Sequence, residues 1–192
     1  KYTEKAVEAA LAWLARHQNE DGRWDTDSWA LNCKEKEAWE RVTKVRKRRW
    51  DVRNTGLTLM AFLGAGHTHM NGDHSRHVRR GLEFLKRSQR ADGYFADDHN
   101  QHGYSHAAAT IALSEAYLMT RDCHYKVVAE KAVAWIVSRQ HQNGGWGWTK
   151  EESYTTLTTW NLVALNTAYK AGLDVPASAI VSVRYFLDQL TH

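Results

Sequence analysis

The chain has 192 residues, of which 43% are hydrophobic and one is proline, and it carries a formal net charge of +4. This length and composition predict one well-filled, mostly helical domain, and they exclude a proline-rich linker protein. No run approaches the roughly 20 apolar residues of a membrane span, and the N-terminal segment lacks a signal-peptide layout, so we expect neither.

Two types of helical segment alternate along the chain. Residues 6–24, 78–95 and 129–146 each run from an amphipathic pattern into a glutamine, a glycine turn and an aromatic residue. Residues 54–68, 106–120 and 158–172 follow them and are apolar on nearly all sides, and residues 182–192 form a last amphipathic segment. A charged face indicates an outer helix, whereas an apolar surface all round indicates burial.

The spacing of these segments predicts a repeat. The differences from Gln18 to Gln89 to Gln140 are 71 and 51, and alignment of Asn54, His106 and Thr158 gives 52 and 52. Each unit is therefore a helical hairpin of about fifty residues. The first unit carries an insertion at about 26–49, in which residues 30–50 read as one amphipathic helix. We expect a single domain over residues 1–192 with about seven main helices plus this inserted one.

Two further features of the sequence limit its function. The insertion ends in a basic patch around residues 44–53, but no base-reading element accompanies it, so we do not expect nucleic-acid binding. The two cysteines, Cys33 and Cys123, lie in unrelated segments. They match neither a redox pair nor a disulfide framework, which predicts ordinary thiols.

The hairpin, with its Q-x-x-D/N-G turn and aromatic, resembles the QW repeat of the prenyltransferase and squalene-cyclase superfamily, and most of all its short bacterial terpene-cyclase-like members through residues 51–68 and 104–122. The resemblance implies an all-α fold, the α/α toroid, whose turns tie neighbouring outer helices together. The turn residues here are Gln18 and Trp24, Gln89 and Phe95, and Gln140 and Trp146, with Gly22, Gly93 and either Gly144 or Gly145. This chain supplies only three and a half hairpins, so we expect a partial or dimer-closed ring.

The same resemblance locates the family's catalytic chemistry. Class II terpene cyclases protonate their substrate with an aspartic acid of D-x-D-D-T-A at the start of an inner helix. The matching stretch here is residues 51–56, DVRNTG, in which Arg53 and Asn54 replace the second and third aspartates. We therefore do not expect protonation-initiated cyclisation, and Arg53 would keep Asp51 ionised. The zinc site of prenyltransferase β-subunits is not expected either, since the chain lacks a D-x-C pair.

Seven of the 11 histidines fall into two groups. The first comprises His67, His69, His74 and His77, and the second His99, His102 and His106. Two histidines four apart at the start of a helix face one ion, which makes His99, His102 and His106 the better candidate for a zinc site. The alternative is that these histidines are solvated or packed in the core.

Two functions remain open. The first is binding of an isoprenoid or other apolar small molecule at the mouth where the inner helices begin, where free N–H groups would also favour a diphosphate. The predicted catalytic residues are Asp51 and His106, and the predicted ligand-binding residues are Arg53, His102, Tyr104, Tyr154 and Trp160. The second is a non-catalytic protein-interaction scaffold, with self-association that covers the exposed ends of a short array.

Overall fold

A computed structural model describes residues 2–27, 29, 50–97, 102–149 and 151–190. The described residues form seven α-helices, as the repeat pattern predicts. The helices are α1 (Tyr2–Arg16), α2 (Asp51–Gly64), α3 (Ser75–Ser88), α4 (His102–Thr120), α5 (Cys123–Ser138), α6 (Thr155–Lys170) and α7 (Ala177–Asp188). The predicted helix at 30–50 lies outside the described residues except for Trp50.

The helices form two layers that alternate along the chain. The inner layer consists of α2, α4 and α6, packed side by side, and the outer helices α3 and α5 pack against it. The central inner helix α4 is the most buried, because it has an inner neighbour on both sides; Ala107, Ile111 and Leu113 are at most 2% exposed. Among the described helices, none is long and apolar enough to cross a membrane.

The three turn glutamines join successive outer helices. Each side-chain amide donates one hydrogen bond to a glycine carbonyl of its own turn and a second to a carbonyl near the start of the next outer helix. The bonds run from Gln18 to Gly22 and His77 (both 2.9 Å), from Gln89 to Gly93 (3.1 Å) and Val128 (2.8 Å), and from Gln140 to Gly144 and Ala179 (both 2.9 Å). The turns therefore tie outer helices together as the resemblance implies.

The glycine of each turn has a left-handed backbone, as helix ends often require. The φ angles are +94° at Gly22, +89° at Gly93 and +88° at Gly144. A β-carbon on these glycines would collide with the carbonyl of Arg80, Lys131 and Ser182, respectively. Of the two candidates in the third turn, the left-handed residue is thus Gly144.

The aromatic residue of each turn connects the outer layer to the inner one. Its backbone N–H donates to a side chain in the first turns of the next inner helix. The acceptors are Thr55 Oγ1 for Trp24 (3.0 Å), His106 Nδ1 for Phe95 (3.1 Å) and Thr158 Oγ1 for Trp146 (3.0 Å). The equivalent residue in the first repeat is therefore Thr55, one position after the predicted Asn54.

The inner helices approach one another closely where a glycine faces the neighbouring helix. A β-carbon on Gly56 of α2 would lie 2.8 Å from the carbonyl carbon of Ala108 in α4. A β-carbon on Gly103 of α4 would collide with the side chain of Leu157 in α6. A larger residue at Gly56 would require the two helices to shift, whereas one at Gly103 would require the Leu157 side chain to move.

Candidate functional site at the inner-helix N-termini

A cluster of carboxylates lies where the first inner helix begins. Asp51 opens α2, and Asp25 follows the first turn; each is only 8% exposed. Thr26 donates its backbone N–H to Asp51 Oδ1 over 3.2 Å. Arg23 lies between the two carboxylates, with Nη2 3.3 Å from Asp25 Oδ2 and Nε 3.4 Å from Asp51 Oδ2. The turn and the helix start thus share one buried ionic cluster.

Asp97, from the second turn, extends this cluster to α4. Its carboxylate accepts hydrogen bonds from the backbone N–H groups of Val52 (2.9 Å) and Arg53 (3.4 Å). It also accepts one from the Ser105 hydroxyl over 2.6 Å. Asp97 therefore caps the N-terminus of α2 from the next repeat, where a negative charge is favourable.

Burial shifts the acidity of both helix-start carboxylates. It raises the pKa of Asp51, and the neighbouring charges of Asp25 and Asp97 raise it further, while the Thr26 amide and Arg23 oppose the shift. Burial likewise raises the pKa of Asp97 in spite of the hydrogen bond from Ser105. Carboxyl groups with raised pKa values are common at functional sites, although structural networks also produce them.

The arginine that contacts Asp51 is not the one predicted. Arg53 instead stacks its guanidinium on the Trp50 ring, 3.5 Å from the ring centroid. Burial lowers the pKa of Arg53, while Asp97 and Tyr104 act in the opposite direction. The expectation that Arg53 would hold Asp51 ionised is therefore wrong. Asp51 pairs with Arg23 instead, and the pKa of Asp51 is raised.

The other predicted ligand-binding residues are spread over the mouth. The Tyr104 hydroxyl lies 2.7 Å from Thr156 Oγ1 and joins α4 to α6. Tyr154 donates its hydroxyl to Glu152 and packs on Trp148, on the side of the third turn. Trp160 is partly buried at the edge of the core. Arg53 and Tyr104 thus lie beside the carboxylates, whereas Tyr154 belongs to another part of the rim.

His106 lies inside the protein rather than at the mouth. It is fully buried, accepts the Phe95 N–H at Nδ1 and lies 3.0 Å from the Ala132 carbonyl at Nε2. With both ring nitrogens bonded, it takes the structural role that Thr55 and Thr158 have in the other repeats. Of its predicted partners, His99 lies outside the described residues, as does the side chain of His102.

The first histidine group divides in two. His69 Nε2 lies 3.0 Å from Asp122 Oδ2. Asp122 caps α5 by accepting the N–H of His124 over 2.9 Å. His67 and His74 instead lie with Glu8 of α1, and their ligand atoms are all within 4.8 Å of one another. The described residues thus hold a Glu/His/His triad with metal-ligand spacing.

A groove adjoins the carboxylate cluster between α1 and α2. Its volume is about 380 Å³, and its walls are mainly aromatic and apolar. They include Trp13, His17, Trp24, Trp29 and Leu57, with Asp25, Thr26 and Asn54 at the polar end. Trp13 stacks on His17 at 3.9 Å between ring centroids. An apolar groove that ends at one buried carboxylate, Asp25, suits a largely apolar ligand.

The comparisons with known proteins agree with this architecture. The model of the squalene-hopene cyclase C-terminal domain matches residues 1–110 and again residues 51–175, two overlapping matches that start one hairpin apart. The chain belongs to this family. Squalene–hopene cyclase of Bradyrhizobium diazoefficiens is 24% identical over 191 residues, which cover 92% of this chain and 27% of that enzyme. The chain thus spans about a quarter of the length of that curated relative.

Membership of the squalene-hopene cyclase family explains the turns but not every residue at the mouth. The stretch from Asp51 to Thr55 begins the first inner helix, as the resemblance implies. The sequence analysis placed neither Arg23 nor Asp25 at the mouth. Both follow the first turn, and only the packing of that turn against α2 brings them to Asp51.

Proposed function

We propose that this member of the squalene-hopene cyclase family binds an uncharged isoprenoid in the groove between α1 and α2. The observation that carries the proposal is the aromatic groove that ends at the buried carboxylate of Asp25, which shares Arg23 with Asp51. The relative's name refers to squalene, an uncharged isoprenoid hydrocarbon, which supports the same ligand class for this chain. Asp25, Thr26 and Asn54 form the polar end of the groove in this proposal.

The charge at the mouth argues for a neutral ligand rather than a diphosphate. The N–H groups at the start of α2, which would otherwise attract an anion, already donate to Asp97. Asp25 and Asp51 add two more carboxylates close by, and Arg23 is shared between them. A diphosphate would face repulsion from these groups, so an alcohol or hydrocarbon fits better.

A charge in the groove is expected to weaken this binding strongly. Leu57 lines the groove and is 40% exposed, so glutamate is compatible with the fold there. Leu57→Glu should weaken the binding of farnesol at least about tenfold, because an apolar ligand would bury the new carboxylate without a partner. Quenching of tryptophan fluorescence measures the affinity, since Trp13, Trp24 and Trp29 line the groove.

The matched control is Val181→Glu on α7, where the same charge is placed on an exposed valine away from the groove. Its farnesol affinity should equal that of the unsubstituted protein. Farnesyl diphosphate should bind more weakly than farnesol to all three proteins. Equal farnesol affinity in both variants, or tighter binding of the diphosphate, would contradict the proposal.

A second candidate function, the non-catalytic interaction scaffold, is supported by the last hairpin. Large apolar residues of α6 and α7 are exposed there by 43–66%. They are Val163, Tyr169, Val181 and Tyr185. Exposed apolar residues on neighbouring helices are a common feature of interaction surfaces. In this proposal the last hairpin packs against a second copy of the chain.

Sedimentation equilibrium tests the scaffold with the same two variants. Val181→Glu should shift the protein from dimer towards monomer, raising the dissociation constant at least about tenfold, because a buried charge opposes the interface. Leu57→Glu should leave the dimer unchanged. A protein that is monomeric at all concentrations would rule out self-association, and the farnesol experiment would be unaffected.

A further inference from the structure

Three side chains of the kinds that bind metal ions lie together at the end of α2 opposite the carboxylates. Glu8 comes from α1, His67 from the loop after α2, and His74 immediately precedes α3. One ligand atom from each lies within 4.8 Å of the others. Since α2 has 14 residues, its length of about 20 Å separates this cluster from Asp51. The two sites are therefore independent.

The loop between α2 and α3 holds both histidines in place. Gly72 has a left-handed backbone (φ +95°), and a β-carbon on it would lie 2.5 Å from His67 Nδ1. The rings of His67 and His74 meet edge to face, with centroids 4.9 Å apart. Fully buried Phe62 packs on His74 at 5.1 Å. Both imidazoles are thus oriented by packing before any ligand binds, as a preformed site requires.

Two buried ring nitrogens near this cluster have no hydrogen-bond partner in the described structure. They are Nδ1 of His67 and Nδ1 of His77. His77 lies next to the triad, with its ring centroid 5.8 Å from that of His74. A buried polar atom without a partner costs about 1–3 kcal/mol. Such atoms are rare in folded proteins, and a bound ion beside them would lower this cost.

We propose that Glu8, His67 and His74 bind a divalent transition-metal ion of the zinc type. Two imidazole nitrogens and one carboxylate oxygen match the ligands of zinc, whereas magnesium and calcium prefer oxygen alone. Zinc bonds of about 2.0–2.2 Å require the ligand atoms to move closer together. Glu8 is exposed on α1 and has the freedom to do so. The fourth position is left for water or for His77.

Zinc titration of the untagged, chelator-treated protein tests this site, with calorimetry for affinity and the visible spectrum of bound cobalt for coordination. One ion per chain is expected. His67→Ala and His74→Ala should each weaken zinc binding by more than about 100-fold, since changes outside the first coordination shell already cost about 10- to 100-fold. Glu8→Gln should weaken it at least about tenfold.

Glu8→Gln also serves as the folding control, because Glu8 is exposed and its replacement leaves the core unchanged. Without metal, the melting temperature of Glu8→Gln should equal that of the parent protein. Added zinc should raise the melting temperature of the parent more than that of Glu8→Gln. The matched histidine control is His124→Ala, whose side chain is 79% exposed and lies outside the triad. Zinc binding of equal affinity in Glu8→Gln, His74→Ala and His124→Ala would overturn the proposal, as would no binding by the parent.

Discussion

Replacement of Gly144 by alanine is expected to lower the free energy of unfolding by about 2–5 kcal/mol. Two costs add at this position. A left-handed backbone costs a residue with a β-carbon about 1–2 kcal/mol, and overpacking adds about 1–3 kcal/mol. The overpacking arises because the β-carbon would collide with the Ser182 carbonyl. Urea unfolding followed by circular dichroism measures the change.

Two other glycines separate these costs. Gly66 shares the left-handed backbone (φ +88°) but has no neighbouring atom within 4 Å of its added β-carbon, so Gly66→Ala should show the conformational cost alone. Gly64 ends α2 without either constraint, and Gly64→Ala should be neutral or stabilising by up to about 1 kcal/mol. If Gly144→Ala were no worse than Gly66→Ala, the close contact between the third turn and α7 would be disproved.

The second large effect is a loss of stability in acid that originates at His106. Burial lowers the pKa of His106 from 6.5 to about 4, only partly offset by the Ala132 carbonyl. Between these two values the unfolded chain binds a proton that the folded protein excludes. Stability should therefore fall as the pH drops from about 6.5 to about 4, by up to about 3 kcal/mol from this residue. Above pH 6.5, His106 should no longer make the free energy of unfolding depend on pH.

His106→Thr is the matched variant, because threonine performs the same task in the other two repeats. It keeps an acceptor for the Phe95 N–H and removes the titrating ring. We expect a cost at pH 7 of about 1–3 kcal/mol for the smaller side chain among Tyr94, Phe95 and Trp135. The difference in unfolding free energy between the two proteins should narrow towards pH 4. A constant difference over this range would mean that His106 does not titrate as its burial requires.

The repeat architecture could be predicted because its determinants recur along the chain. Gln18, Gln89 and Gln140 each precede a glycine and an aromatic, and these residues make the same bonds in every copy. The predicted alignment of the first inner helix used Asn54, one residue before the true equivalent Thr55, and the reason is chemical. A hydroxyl of Thr55 and an imidazole of His106 accept the same hydrogen bond, so similarity of residue type could not identify them as equivalent.

The two candidate sites depend on contacts that no local pattern encodes. Asp51 was identified from the family motif, but its ion pair with Arg23 forms only because the first turn folds over the start of α2. His67 and His74 were visible as part of a histidine-rich loop, whereas Glu8 lies 59 residues before His67 on another helix. Its position beside them is set by how α1 packs, and a single sequence does not contain that information.

The glycine at the crossing of α2 and α4 has a consequence for the shape of the whole array. Gly56 lets α2 approach the backbone of Ala108 directly, so the shortest distance between the first two inner helices depends on this glycine. The inner helices stand side by side, and their spacing determines the width of the inner wall. A larger residue at position 56 would push α2 away from α4 and widen that wall.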